Sequence, residues 1–245
     1  GGAVTTTGAQ TYNDPITLGA GTTLTTTSGP IQFFQDLSGA NTLNITGGTG
    51  NVIFSSTIGG GADPTSLSII TTGDTTFTGG VNIGGGVTVS SANVTVDNSL
   101  TASGTVTVTN SGLFTKNATG TITATNGFTQ NGAGANSIGA NISTTNTNLS
   151  FATGITLTQS VTFSTGSGAG DITVSSTVNP AAVSTQGLTL LAGSGSIGVT
   201  GPVGNTLRLG ALGVSSAGNA TFTNGVTATS FTQAAGTGTT TFNGT

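Results

Sequence analysis

One short template recurs along this chain and limits its fold more than any other feature. It is a glycine, then Asn or Asp, then two further residues and a large apolar residue, with a second apolar residue four positions on. It reads Gly50-Asn51-Val52-Ile53-Phe54 with Ile58, Gly73-Asp74-Thr75-Thr76-Phe77 with Val81, Gly170-Asp171-Ile172-Thr173-Val174 with Val178, and Gly218-Asn219-Ala220-Thr221-Phe222 with Val226. Gly238-Thr239-Thr240-Thr241-Phe242 begins another copy. Weaker copies at Asp97–Leu100, Thr125–Phe128, Asn148–Phe151 and Ser194–Ile197 fill the gaps. The large apolar positions then form the series Phe54, Phe77, Leu100, Phe128, Phe151, Val174, Ile197, Phe222 and Phe242, in which most steps equal 23. The wider step of 28, from Leu100 to Phe128, predicts a loop insertion. Upstream, Ile31 stands one such period before Phe54, and the phase before residue 40 is not set.

Self-similarity at a period of this size marks a solenoid, in which each repeat buries its apolar face only against its neighbours. Nothing inside the period has helical spacing. Segments such as Leu67-Ser68-Ile69 and Val87-Thr88-Val89 alternate apolar and polar, as strands do, and Gly, Asn and Asp separate them as corners. We read residues 1–245 as a single all-β repeat domain, a right-handed parallel β-helix with coils of about 23 residues. The apolar series becomes an interior ladder, and ten or so coils stacked at a strand spacing of ~4.8 Å make a rod roughly 50 Å long.

The composition has a cause in that architecture. Six Asp, one Lys and one Arg are the only charges in 245 residues. Stacked coils place equivalent residues side by side, so a repeated charge would face its own copy, which destabilises. Thr, Ser and Asn ladders carry no such penalty. Hydrophobic residues at 33% keep the chain out of the disordered class. Without Cys or His there is no thiol nucleophile, disulfide, thiolate metal site or imidazole base. Two cations cannot neutralise many phosphates, so nucleic acid is excluded as a partner. No apolar run approaches the ~18 residues of a membrane span. The chain starts on Gly1 rather than Met and closes on Thr240–Thr245 within a strand-like pattern, which is read as a piece of a longer exported protein.

At these residues the chain resembles bacterial haemagglutinin-repeat and β-strand-repeat surface proteins, the filamentous-haemagglutinin-like exoproteins of two-partner or autotransporter secretion. The segments that carry the resemblance are Gly170–Val178, Gly187–Ile197 and Gly218–Gly244, and it extends over most of residues 40–245. The resemblance implies an extracellular or cell-surface β-helical stalk used in adhesion, biofilm or fibres. It supplies no catalytic residues to carry over.

Candidate sites are few. Asp74 and Asp97 lie one period apart at the same template position, so they are expected to stack on adjacent coils. Two carboxylates ~5 Å apart suit a retaining glycosidase or a bridging Ca²⁺. Both are read instead as corner residues facing water, because Asn51, Asn148 and Asn219 hold the same position. Gly59-Gly60-Gly61-Ala62-Asp63 resembles one copy of a calcium-binding nonapeptide, which needs tandem copies, and is read as a turn. Lys116 is placed in the predicted insertion as a solvated loop residue, and Arg208, alternating with Leu207 and Leu209, is expected to point outward from a strand. Thr-x-Thr runs at Thr105–Thr109 and Thr121–Thr125 suggest an ice-binding face, but they do not recur at one phase of the period. No catalytic, cofactor or metal residue is assigned. The expected function is a non-enzymatic structural or adhesive module of a bacterial fibre or stalk. Its partners would be further copies of itself, end to end, or host and matrix surfaces. The alternative is a carbohydrate-active or carbohydrate-binding β-helix.

Overall fold

The computed structural model describes residues 2–234 and 238–244; Gly1, residues 235–237 and Thr245, the last residue of the closing strand-like pattern, lie outside them. The described residues contain strands and no helix, and the strand pairings are parallel. Neighbouring strands in each sheet come from successive turns of the chain. The result is a parallel β-solenoid of about 11 turns with ~21 residues per turn. A first sheet of 12 strands runs from Gly2–Thr6 to Thr240–Phe242. A second, of nine strands, runs from Gln10–Tyr12 to Val178–Pro180. Bridges at Val203 and Val226 continue that second sheet. A third starts with Ile16–Thr17 and Leu37–Ser38, passes through bridges at Ile58, and continues as eight strands ending at Ala228–Gln233.

Most strands are three residues long, and most of these have the pattern buried, half-buried, buried, as in Val52–Phe54. Two inward side chains per strand, repeated down three sheets, make one continuous core. Tyr12, Phe33, Phe54 and Phe77 stack ring on ring with centroids 5.0, 4.6 and 5.3 Å apart. That is the coil-to-coil spacing of a parallel sheet, so like residues in register pack as offset stacks.

The coil is shorter and less regular than a period of 23. Val87 pairs with Val106, a step of only 19. Ile172 pairs with Ile197 and Val161 with Leu188, steps of 25 and 27. A fixed step of 23 therefore slides across the solenoid. Phe54 and Phe77 belong to the second sheet, Leu100 to the third, and Phe128 onward to the first. There is no insertion between Leu100 and Phe128; the wide step there is the passage from the third sheet to the first. Among the register pairs, the widest step is instead the one from Val161 to Leu188. In the first coils Phe33, not Ile31, is the equivalent of Phe54, and Ile31 pairs with Val52.

What recurs is a corner followed by a strand, and each coil contains three such units. The glycine of the template is imposed by the coil beneath. A Cβ on Gly73 would stand 2.6 Å from the Gly50 carbonyl oxygen, and one on Gly195 2.1 Å from that of Gly170. The Asn or Asp that follows hooks the next coil. The Asp74 N–H donates to Asn51 Oδ1 at 2.9 Å, and Asp74 Oδ1 accepts the Asn93 N–H at 3.1 Å. Asn93 Oδ1 in turn accepts the Leu113 N–H at 2.7 Å. The same hook runs from Asn148 to Asp171 to Ser196.

Candidate functional site

The structure separates Asp74 from Asp97. Asp74 precedes strand Thr75–Phe77, whereas Asp97 follows strand Val94–Val96, and these two strands pair as Thr75 with Val94 and Phe77 with Val96. The carboxylates lie at opposite ends of the paired strands. The expectation that they stack is wrong because the step at this coil is 19, which puts Asn93 beside Asp74. Asp74 Oδ1 also accepts the Asn93 side-chain amide at 2.8 Å, and Asp97 Oδ1 accepts that of Asn117 at 2.6 Å. Neither a carboxylate pair for glycoside cleavage nor a two-Asp cation bridge is assembled here. Among the described residues no three His, Cys, Asp or Glu side chains cluster. Gly59–Asp63 forms a single turn, in which Gly59 takes φ +84° beside Asp63 Oδ1.

Lys116 departs most from expectation. It is the last residue of strand Phe114–Lys116, fully buried, and stands in the column that continues the aromatic stack between Val96 and Ile138. The alternation that turns Phe114 inward turns Lys116 inward two residues later, a signal visible in Phe114-Thr115-Lys116. Its Nζ bends back to the corner and donates to the carbonyls of Thr119 at 2.6 Å and Asn117 at 2.8 Å. Burial pulls its pKa down to about 8, and the Asp97 carboxylate opposes that shift. Asn110, Gln130 and Asn136 are also buried. Gln130 Nε2 donates to Asn110 Oδ1 at 2.8 Å, and Asn136 Nδ2 donates to Thr153 Oγ1 at 3.0 Å. Asn136 Oδ1 has no partner.

Outside, Arg208 is exposed as expected, but it lies in the corner before strand Leu209–Ser216 rather than within a strand, and its Nε donates to Ser184 Oγ at 2.9 Å. The outward hydroxyls are more regular than a fixed period suggests. Thr88, Thr107, Thr129, Ser150 and Thr173 are successive register partners in the first sheet. Their positions in the sequence drift because coil length varies, so a continuous file needs no constant phase. Beside this file a groove of about 260 Å³ crosses four coils, lined among others by Thr72, Ser90, Thr109 and Ser111.

No protein-family model, no curated protein and no solved structure matches the chain. Among the described residues no helix is long and apolar enough to cross a membrane.

Proposed function

We propose that this chain is a non-enzymatic structural and adhesive rod, a module of an extracellular bacterial fibre or cell-surface stalk that associates with further copies of itself or with host and matrix surfaces. One observation carries the reading. Inward columns run unbroken through every coil, so the interior is given over to axial stacking. Load along such a rod is borne by the backbone ladders of three sheets in parallel, and its stability grows with the number of coils. The hand we assign is right-handed, the hand of nearly all parallel β crossovers. Low charge favours association, since little repulsion keeps copies apart. Sedimentation velocity and negative-stain electron microscopy over a wide concentration range test this reading. Rods that lengthen with concentration are expected; discrete monomers throughout would overturn it.

The groove beside the hydroxyl file favours a second reading, a surface for a neutral glycan chain lying along the axis. Retention on insoluble neutral polysaccharide, lost when Ser90 and Thr109 are both changed to Val, is its expected result. Failure to be retained on any such matrix removes it.

A further inference from the structure

The corners that join the second sheet to the third form a ridge along the molecule, and charge is spread on it unevenly. Counting coils by their first-sheet strands, Asp14 and Asp36 stand on the first two coils of the ridge and Asp97 on the fifth. Arg208, the one cation that is not buried, stands on the same ridge in the tenth coil. The other corners of the ridge carry no charge.

Exposed apolar side chains accompany both signs. Phe34, 45% exposed, lies two residues before Asp36. Leu207, 37% exposed, adjoins Arg208, and Val183, 58% exposed, stands one coil below. Val183 belongs to the longest corner of the ridge, residues 181–187, where most of the others have three residues. Its loop is tied to that of Arg208: the Ser184 N–H donates to the Arg208 carbonyl at 2.6 Å and Arg208 Nε to Ser184 Oγ at 2.9 Å. Both patches have coils on either side. The Phe34 N–H donates to the Tyr12 carbonyl and the Ser55 N–H to that of Phe33, while the Leu209 N–H beside Arg208 donates to the Thr227 carbonyl. Asp36 Oδ1 accepts Ser56 Oγ at 2.6 Å and the Thr57 N–H at 3.1 Å. Among the described residues Asp36 Oδ2 and the two terminal nitrogens of Arg208 have no partner. Eight coils, ~38 Å at the strand spacing, separate the two patches.

We propose that a second copy of this chain docks side by side and antiparallel along this ridge, with Arg208 of each copy against Asp36 of the other and Leu207 and Val183 against Phe34. A two-fold axis at the sixth coil makes the same contact twice. The rest of the ridge fits that arrangement. Asp97 falls opposite the uncharged corner 139–141 of the seventh coil, and Asp14 opposite Thr227. A parallel pair in register would set Arg208 against Arg208 and Asp36 against Asp36, and like charges in contact suppress a pairing. A parallel pair shifted by eight coils makes the contact only once. The proposal rests on the reading of the chain as a self-associating rod and adds the face and the direction. Pairing adds width and is separate from lengthening.

Charge reversal with rescue tests the face. In sedimentation equilibrium the unmodified chain is expected to dimerise, less tightly as salt is raised. Arg208→Asp and Asp36→Arg are each expected to weaken the dimer about tenfold or more, and the two together to restore it. Circular dichroism of each variant verifies that the coils are kept. Single reversals that pair as tightly as the unmodified chain, or a double reversal that stays weak, would overturn the pairing alone. An unmodified chain that stays monomeric at every concentration would overturn the pairing and the rod reading together. Cross-linking tests the direction. The chain has no cysteine, so introduced ones report without background. Gln35→Cys with Thr206→Cys, both at exposed positions, is expected to give a single covalent dimer with a short bismaleimide, and each cysteine alone none. A ladder of higher multimers, or covalent dimers from either single variant, would overturn the antiparallel arrangement.

Discussion

Lys116 shows how much a single residue can depend on coil phase. Its ammonium is charged in both folded and unfolded chains below about pH 8. Between there and its ordinary value near 10.5 the unfolded chain binds more protons, so stability rises with pH across that window. Tyr12, whose phenol burial pushes above its ordinary 10.0, opposes this only at the upper end. Urea midpoints followed by circular dichroism should climb from pH 8 to 9.5, and Lys116→Met should abolish the climb without lowering stability at pH 7, since an apolar side chain of similar length suits the column. Trypsin gives an independent reading of the same burial. Native protein should be cut after Arg208 and spared after Lys116, as mass spectrometry of the fragments would show. Asp74 gives a smaller effect. Asp74→Asn keeps an acceptor for the Asn93 N–H and should be neutral, whereas Asp74→Ala should cost about 0.5–1.5 kcal/mol. The burial of Lys116 was legible from its two-residue distance to Phe114. Its partners were not, because Asn117 and Thr119 reach it only through the shape of a corner.

At the level of strands and corners, the strand chemistry of Val-Thr-Val and the turn chemistry of Gly-Asn could be read directly, and both are where the local pattern placed them. The order in which strands stack could not be read from a constant step. Corners absorb different numbers of residues, and a template that marks every corner does not say which of three it marks. Thus Asn51 and Asp74 precede second-sheet strands, while Asp171 and Asn219 open first-sheet strands. Only register pairs resolve that ambiguity, and the place of Asp97 depends on them. The corners themselves are unforgiving. A Cβ on Gly134 would lie 1.5 Å from the Gly112 carbonyl oxygen, whereas one on Gly80 meets nothing within 4 Å. Gly134→Ala should cost about 3 kcal/mol and Gly80→Ala almost nothing, measured as the difference in urea midpoint. Within the aromatic stack, Phe54→Ala should cost about 3–5 kcal/mol, because rings above and below cannot close the gap without breaking strand register.

For the whole molecule the scarcity of charge has a single physical origin in stacking. The six Asp sit at corners and turns rather than within strands, and the charge of the one inward cation is met by backbone carbonyls. A rod built this way has no natural length, because each coil meets the next through the same interface. Diffraction from oriented assemblies of the purified chain tests that claim most directly. One sharp reflection at ~4.8 Å along the long axis of the assembly is expected, from coils stacked along that axis. A spacing of ~4.8 Å perpendicular to that axis, or rods that stay separate at roughly 50 Å, would contradict it.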